Sequence, residues 1–522
     1  MRIFDFTLMN GYEFSGVDVA QGFRAKLFKK NNIDIKFIFM NLPTQRDLDL
    51  YINQGIDRDQ IISKEIYLTG RMDMRLSTKK DILISKEIID HDDIIEKDNI
   101  TYLIENNKKK CEIICDDENN IISASYYKDE HIIFTSFYFD SLAYTELYGS
   151  SDHKTGESQL ERRLFWNTDG KLVFEQVFEA DKIKYVFSDG QVMDNQEFVI
   201  YFIKKLALNE NDICIMDRGG YLDYIRPLFE FGNRAEFICV LHSDQYYELN
   251  ENIGSLYMNY EYYYWFKYSK VIDTFIVATE EQRIALINKL KEYDRYVPSI
   301  SVIPPGAIEA QKCITENRKK YSIISASRIE ETKGIDLLIA GVIEAHKYNP
   351  YIYLDIYGEG LPEYIGYLNN VISSHNAWDY IHFKGRQNVK ALYQYYEVYA
   401  SFSRFESFGL SLMEAAGNGL AMIGLDTRYG NRLFIKNEQN GYLIDGNLMD
   451  KETLVKKIGM AIARIFEDED RLKLFHEKSY EIASSYTEAD VEKKWMELLE
   501  IASFDKAAGN LEETWRWCRE KL

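Results

Sequence analysis

The sequence is poor in proline, in basic residues and in long apolar runs. Only 7 of its 522 residues are proline while 39 are tyrosine, a composition that disfavours long disordered linkers. Lysine and arginine number 63 against 84 aspartates and glutamates, so the formal net charge is −21. A chain this acidic lacks the basic footprint of a general nucleic-acid-binding protein. A few well-placed donors still suffice to hold an anion in a local pocket.

No stretch of 18 apolar residues occurs, so the sequence predicts no membrane-spanning helix. The N-terminus, MRIFDFTLMNGYEFSG, lacks the basic start and apolar core of a signal peptide. We therefore expect a soluble, cytoplasmic protein. The six cysteines form no C-x-x-C pair and have no histidine cluster nearby, which favours buried, reduced thiols over a metal site.

The order of predicted elements is typical of an α/β protein with one insertion. RIFDFTLMNGYEFSGVDVAQGFRAKLFKK predicts a strand, a glycine-containing loop and an amphipathic helix, and IDIKFIFMNL predicts the next strand. This order begins a doubly wound domain. From about residue 65 to 200, short alternating runs separated by turns, including the hairpin signal TDGK, predict an inserted antiparallel β-meander.

A second α/β series begins at YSIISASRIEETKG, after the linker-like SVIPPGAIE. Two α/β domains on either side of such a hinge predict an interdomain cleft, and ligands of these sheets bind at strand carboxyl ends. The predicted domains are 1–64 with 201–305, the insert 65–200, the second α/β domain 306–485, and a helical tail 486–522 that we expect to pack back on the first domain.

Two basic residues follow a buried strand in SASRIEETKG. Arg328 and Lys333 lie five positions apart across a loop-to-helix turn, so both can converge on one anion, and the helix N-terminus adds its dipole. From this stretch alone, two solvated charges at a helix start are an equally good interpretation. His242 ends the apolar strand of CVLH and is either a structural histidine or a group that faces the reacting end of a ligand.

The stretch FESFGLSLMEAAGNG places Glu406 and Glu414 eight positions apart. On one helix they would be about 12 Å apart along the axis and about 80° out of alignment, too far to share a proton or one metal ion. If Ser407, Phe408 and Gly409 start the helix, Glu406 lies in the loop and Glu414 in the second turn. The two acids can then bind different rings of one extended molecule. Two ordinary surface acids remain the alternative.

Together, and in this order, these residues resemble the family-four retaining glycosyltransferases of GT-B fold. Several stretches look closest to the branch that glycosylates serine-rich repeat adhesins of Gram-positive bacteria before export by the accessory Sec system. These stretches are FSGVDVAQGFRA, VLHSDQYY, IPPGAI, LDIYGEG and YGNRLFIKNEQNGYLI. The resemblance covers nearly the whole chain. It implies an α/β protein with two Rossmann-like domains that face a cleft. The insert resembles an add-on domain that also occurs in poly(ribitol-phosphate) teichoic-acid glycosyltransferases.

The resemblance implies a role for each candidate. Arg328 and Lys333 would hold the donor diphosphate and neutralise the leaving UDP, Glu406 would contact the sugar, Glu414 the ribose hydroxyls, and His242 would face the donor sugar. The remaining donor-binding residues, expected near the phosphates, are Ser15, Gly16, Val17, Ser407, Phe408, Gly409 and Leu410. The catalytic set would be His242, Glu406, Arg328 and Lys333. No metal or other cofactor is implied, because the two basic side chains would do the work of Mg²⁺.

The expected reaction moves a sugar, N-acetylglucosamine first and glucose second, from a UDP-sugar to serine or threonine of a serine-rich repeat polypeptide, as the first step of its O-glycosylation. A teichoic-acid glycosyltransferase is disfavoured by the net charge of −21. A non-catalytic partner subunit is disfavoured because the charged donor-binding set is complete. The insert is expected to bind the acceptor, other copies of the chain or a glycosyltransferase-like subunit, since antiparallel edges pair with other chains. We expect at most peripheral contact with the inner face of the cell membrane.

Overall fold

The computed structural model describes residues 1–7, 15–87, 93–149, 159–179, 182–218, 222–232, 235–248, 256–308, 318–446 and 450–507. The described chain forms two compact units. Unit 1 takes residues 1–7 and 24–238, and unit 2 takes residues 15–23 and 239–507.

The strands, in chain order, are β1 (Ile3–Thr7), β2 (Ile35–Phe39), β3 (Ile61–Ser63), β4 (Asp93–Lys97), β5 (Ile100–Glu105), β6 (Lys108–Cys115), β7 (Ile121–Lys128), β8 (His131–Tyr138), β9 (Leu142–Tyr148), β10 (Leu160–Trp166), β11 (Leu172–Glu179), β12 (Lys182–Phe187), β13 (Val192–Asp194), β14 (Ile213–Met216), β15 (Glu236–Val240), β16 (Tyr246–Glu248), β17 (Leu256–Met258), β18 (Thr274–Val277), β19 (Ser299–Val302), β20 (Ser322–Ala326), β21 (Tyr353–Tyr357), β22 (Ile381–Gly385), β23 (Val398–Ser401), β24 (Ala421–Leu425) and β25 (Gly441–Ile444).

The helices are α1 (Gly16–Lys30), α2 (Gln45–Gln54), α3 (Lys64–Leu68), α4 (Lys80–Glu87), α5 (Asn195–Leu206), α6 (Leu222–Phe231), α7 (Tyr263–Lys267), α8 (Glu280–Glu292), α9 (Ile335–His346), α10 (Pro362–Ser374), α11 (Leu410–Gly417), α12 (Gly430–Phe434), α13 (Lys451–Ile465), α14 (Glu469–Ala483) and α15 (Glu488–Ala507).

Unit 1 begins with a parallel sheet in the order β14-β1-β2-β3. All five residues of β1 are buried, including Asp5. The Asp5 carboxylate is ion-paired with Arg24 of α1, and the same guanidinium pairs with Asp217, just after β14. This buried triad connects α1 to the middle of β1 and to the residue that follows β14. The predicted β-loop-α-β opening is confirmed, and its loop, residues 8–14, lies outside the described residues.

The insert is a ten-stranded antiparallel sheet in which β4 to β13 follow one another in chain order. Its strands span 93–194, and helices α3 and α4 occupy the first part of the predicted insert range 65–200. The predicted TDGK hairpin is confirmed, because the Asn167 N–H donates to the Lys171 carbonyl at 3.0 Å and Gly170 has φ +74°. Rings of this sheet stack on one another and on Phe198 of α5, which lies 3.6 Å from Tyr185 between centroids.

Unit 2 contains the parallel pair β18–β19 and a six-stranded parallel sheet in the order β22-β21-β20-β23-β24-β25. The central strands β20, β21, β23 and β24 are short, wholly or largely buried runs, as expected when helices cover both faces. Helices α9 and α13 pack closely because Gly341 leaves room for Ile458, whose Cγ2 would lie 2.2 Å from a Cβ at that glycine. This is the predicted second α/β series.

The last described helix, α15, confirms the helical pattern predicted for the tail as far as residue 507. Its Val491 and Trp495 are buried. Residues 508–522 lie outside the described residues, so the packing of the tail on the first domain stays a prediction, as do the domain boundaries. Within the part of the chain that is described, no helix is long and apolar enough to cross a lipid bilayer. Cys111, Cys115, Cys214 and Cys239 are buried, as expected.

Candidate active site

The loop after β20 carries the two predicted cations and is tied to the end of β23. Lys333 ends a single 3₁₀ turn, and Gly334 follows it with φ +61°. A Cβ at Gly334 would lie 2.1 Å from the carbonyl oxygen of Phe402, so only glycine fits there. The Arg404 N–H also donates to the Thr332 carbonyl at 2.8 Å. The sequence thus folds the β20 loop tightly against the segment that leads to Glu406.

Lys333 and Glu406 form an ion pair. The Lys333 Nζ lies 2.9 Å from Glu406 Oε2, and their side chains are 18% and 19% exposed. The Glu406 backbone is fixed as well, because its carbonyl accepts from the N–H groups of Tyr429 and Gly430, both at 2.7 Å. Two residues that sequence analysis placed at the donor are therefore in direct contact, although 73 positions separate them.

Arg328 is the more exposed of the two cations. Its guanidinium lies 3.0 Å from the Glu330 carboxylate, and half of its side chain is exposed. Each predicted phosphate-binding cation is thus paired with a carboxylate, Arg328 with Glu330 and Lys333 with Glu406. The Arg328–Glu330 pair is exposed and contributes little to stability, so an incoming anion can replace Glu330 at low cost.

Helix α11 starts where the sequence predicted. Gly409 is its N-cap residue, with φ +83°, and a Cβ there would lie 2.5 Å from Leu412 Cδ1. Phe408 is buried and packs edge-on against Phe434, with 5.2 Å between ring centroids. Glu406 therefore lies in the loop and Glu414 in the second turn of the helix, as expected. The first N–H groups of a helix and its dipole favour an anion at this end.

Glu414 lies in a largely buried setting. Burial raises the pKa of its carboxyl above the ordinary 4.5, while Lys390, with Nζ at 3.7 Å, works in the opposite direction. Burial also raises the pKa of the neighbouring Tyr393 phenol, and Tyr399 and Glu414 add to that rise. A carboxylate with few water contacts next to a phenol and an ammonium group is suited to binding hydroxyls of a ligand.

His242 follows β15 and belongs to the same set of contacts. Its carbonyl accepts a hydrogen bond from Ser407 Oγ at 2.5 Å, and its N–H donates to the Tyr262 hydroxyl at 3.0 Å. Asp244, two residues on, accepts from the Tyr429 hydroxyl at 3.2 Å. Through Ser407, the structure connects His242 to Glu406 and hence to Lys333.

The turn between β1 and α1 gives little support for the predicted phosphate contacts of Ser15, Gly16 and Val17. The N–H and hydroxyl of Ser15 donate to Asp18 Oδ2 at 2.7 and 2.8 Å, so Asp18 closes the start of α1. A Cβ at Gly16 would meet nothing within 4 Å. The local structure therefore does not require glycine at this position, and the phosphate contacts of Ser15, Gly16 and Val17 stay a prediction.

Comparisons with known proteins identify the family to which the chain belongs. Residues 308–481 match the family model "Glycosyl transferases group 1", and residues 91–189 match "GtfA extended beta-sheet domain". The UDP-N-acetylglucosamine–peptide N-acetylglucosaminyltransferase GtfA subunit of Streptococcus pneumoniae is 32% identical over 521 residues, which cover 97% of this chain and 100% of the relative. The chain belongs to the GtfA family.

Two solved structures show the GtfA fold over nearly the whole length. The pneumococcal O-GlcNAc transferase GtfA in complex with UDP and GlcNAc has a TM-score of 0.83 at 31% identity and covers 96% of this chain and 99% of its own. A GtfA/B complex gives 0.82 at 28% identity, with the same coverage. This GtfA-family chain is a glycosyltransferase, and the predicted GT-B class with an inserted antiparallel sheet is confirmed.

Sequence analysis missed several residues that surround the predicted site. Lys390 and Tyr393 contact Glu414. They follow β22 in HFKGRQNVKALYQYY, and their place in a loop at the carboxyl end of a strand could have marked them as candidate ligand-binding residues. Tyr262 and Tyr429 gave none. Tyr262 lies in the aromatic run NYEYYYWFKY, where sequence alone does not tell a buried hydroxyl from an exposed one.

Proposed function

We propose that this enzyme transfers N-acetylglucosamine from UDP-N-acetylglucosamine to serine or threonine hydroxyls of a serine-rich repeat polypeptide, with retention of the anomeric configuration. The observation that carries the proposal is the ion pair between Lys333 Nζ and Glu406 Oε2, which are 2.9 Å apart, with Glu406 in the loop that precedes helix α11. The pair brings a cation that can bind phosphate into direct contact with an acid that can bind sugar hydroxyls. The name of the pneumococcal relative and its complex with UDP and GlcNAc support the same donor.

In the proposed donor complex, both cations exchange their carboxylate partners for phosphate oxygens. Lys333 leaves Glu406, and Arg328 leaves Glu330; charge-assisted hydrogen bonds to phosphate replace the two ion pairs. Glu406, no longer neutralised, accepts hydrogen bonds from the sugar hydroxyls. Glu414, in the second turn of α11, accepts hydrogen bonds from the ribose hydroxyls.

The proposed reaction needs no protein nucleophile. The acceptor hydroxyl attacks the anomeric carbon on the face that the leaving phosphate occupies. The bond from the anomeric carbon to the phosphate oxygen breaks, the bond to the serine or threonine oxygen forms, and the acceptor proton passes to the leaving UDP. Lys333 and Arg328 stabilise the charge that grows on the diphosphate. Because they supply this charge, we propose that the enzyme works without a divalent metal, and full activity in excess EDTA is expected.

We propose that the insert serves assembly or acceptor binding. Strand β4 comes last in the described order of the sheet, and all five of its residues are exposed, including Ile94 at 45% and Ile95 at 52%. Exposed apolar side chains on the last strand of a sheet favour pairing with another chain. The GtfA/B complex of relatives supports a glycosyltransferase-like subunit as the partner.

A donor panel tests the proposal. Purified chain, alone and with its partner subunit, is incubated with UDP-N-acetylglucosamine, UDP-glucose or other UDP-sugars, and released UDP is measured. We expect slow hydrolysis of UDP-N-acetylglucosamine without acceptor and faster turnover with a serine-rich peptide. A preference for UDP-glucose would show that glucose, not N-acetylglucosamine, is the transferred sugar. Turnover stimulated by poly(ribitol phosphate) instead of the peptide supports the teichoic-acid alternative, and no UDP release under any condition supports a non-catalytic subunit.

A further inference from the structure

One buried phenol holds the backbone of the loop that carries His242. The N–H of His242 donates to the Tyr262 hydroxyl oxygen at 3.0 Å, and the N–H of Ser243 donates to the same oxygen at 2.9 Å. Tyr262 is only 2% exposed. A single side-chain oxygen therefore binds two successive amides next to the candidate catalytic histidine, in a place with little water to replace it.

The neighbours of the Tyr262 oxygen determine the group to which its O–H donates. A phenol donates one hydrogen bond through its O–H and accepts through its oxygen. Because the Tyr262 oxygen already accepts from two amides, we assign its O–H as the donor to Ser243 Oγ, 2.9 Å away. The Asn259 side-chain amide donates to the same Oγ at 3.0 Å and to the Asp244 carbonyl at 3.0 Å. All three hydrogen bonds of Tyr262 thus go to residues 242 and 243.

The carbonyl groups of the same loop are held from other elements. Ser407 Oγ donates to the His242 carbonyl at 2.5 Å, and Gln282 Nε2 donates to the Ser243 carbonyl at 3.1 Å. Side chains therefore bind His242 at both its N–H and its C=O. Irregular backbone that is saturated in this way has little freedom to move. Ser407 directly follows Glu406, so the same contacts align the histidine loop with the donor loop.

We infer that Tyr262 is a positioning residue for sugar transfer, acting on His242 through the backbone of residues 242 and 243. The inference rests on the proposed function, in which His242 faces the donor sugar. A shift of about 1 Å in a group that contacts the reacting centre costs as much as about a hundredfold in rate. Burial raises the Tyr262 pKa, so the phenol keeps its proton throughout an ordinary assay range.

Tyr262→Phe tests the inference, since it keeps the ring and removes the oxygen. We expect kcat for UDP-N-acetylglucosamine hydrolysis to fall about tenfold, because two buried amides and Ser243 lose their partner. The Kd for UDP should stay unchanged, because the loop does not hold the diphosphate. In a His242→Ala background the same substitution should lower kcat less than about twofold, since a residue that acts through His242 has nothing left to position.

Tyr185→Phe is the matched control. Tyr185 is equally buried, in the insert, and its hydroxyl is bonded to Gln176 and Asn195 at 3.3 Å. Its loss should leave donor hydrolysis unchanged. Because Tyr262→Phe removes three hydrogen bonds, thermal unfolding is recorded for every variant. If that variant unfolds at the assay temperature, Ser243→Ala replaces it, with an expected drop of about threefold that again disappears in the His242→Ala background.

The possible outcomes distinguish a failure of the proposed function from a failure of the positioning role of Tyr262. If the wild type releases no UDP from any donor, the proposed function fails. If the wild type is active and Tyr262→Phe keeps its full kcat, the positioning role is overturned. An equal loss in the wild-type and His242→Ala backgrounds also overturns it, because additivity is what a merely structural tyrosine produces. A loss confined to the wild-type background, with UDP affinity unchanged, supports it.

Discussion

Replacing Lys333 by alanine removes the cation of the closest contact in the candidate site. Its Nζ lies 2.9 Å from Glu406 Oε2, with side chains 18% and 19% exposed. At about 3 Å and an effective dielectric constant of about 20, two unit charges interact by about 5–6 kcal/mol. If half a unit of charge grows on the leaving diphosphate, the variant loses about 3 kcal/mol of transition-state stabilisation, or about a hundredfold in rate. Loss of single preorganised donors in other enzymes costs about 10²–10³.

The assay is UDP release from UDP-N-acetylglucosamine without acceptor, with kcat and KM measured separately. Lys320→Ala is the control. Lys320 Nζ lies 2.6 Å from Glu469 in the same unit, but these side chains are 67% and 69% exposed. An ion pair this exposed is screened by solvent and contributes little to stability. We expect the control to keep the kcat and KM of the wild type.

A Lys333→Ala variant that is folded and within about threefold of the wild-type kcat/KM would refute the donor assignment, since the expected loss is about 10²–10³. Removing the cation also leaves the Glu406 carboxylate without a close partner, which lowers stability. Lys333→Gln separates the two effects, because it keeps a hydrogen-bond donor for Glu406 but no charge. If the charge matters, Lys333→Gln is as inactive as Lys333→Ala while unfolding at a higher temperature.

Three further predictions concern other parts of the molecule. Because burial raises the pKa of Glu414 above 4.5, UDP affinity should weaken as the pH falls through that raised pKa and the carboxylate gains a proton. Isothermal titration at several pH values should show no such dependence in Glu414→Gln. Gly334→Ala, with a Cβ 2.1 Å from a backbone oxygen, should cost about 2 kcal/mol or more of unfolding free energy. Gly366→Ala, which meets nothing within 4 Å inside α10, should be neutral or stabilising; equal losses would contradict the steric argument. Replacing Ile94 and Ile95 of β4 by lysine should abolish association with the proposed glycosyltransferase-like subunit in size-exclusion chromatography while leaving donor hydrolysis intact; association that persists would exclude this edge.

Local sequence patterns predicted the elements that position the site. The helix was expected to start at Ser407, Phe408 and Gly409, and Gly409 is its N-cap because its positive φ suits that position and a Cβ there would lie 2.5 Å from Leu412 Cδ1. The TDGK hairpin forms for an equally local reason, since Gly170 adopts the positive φ that a tight turn needs. Such features depend on a few adjacent residues, which the sequence displays directly.

The contacts that make these elements a site depend on the tertiary fold. Lys333 meets Glu406 across 73 positions, and Ser407 meets His242 across 165. Spacing allowed the two glutamates to bind different rings of one ligand, with two surface acids as the alternative, but it gave no reason to expect that Lys333 pairs with Glu406. The phenol of Tyr262 was equally hidden, because its burial is set by the neighbours of a whole aromatic run.

The central claim is that the residues around Lys333 and Glu406 transfer N-acetylglucosamine to a polypeptide hydroxyl. Intact-mass spectrometry of a serine-rich repeat peptide tests it most directly, after incubation with the enzyme, the proposed glycosyltransferase-like subunit and UDP-N-acetylglucosamine in excess EDTA. We predict that the peptide gains whole N-acetylhexosamine residues with the wild type and none with Lys333→Ala. An unmodified peptide beside a wild type that glycosylates poly(ribitol phosphate), or equal modification by Lys333→Ala, would contradict the account.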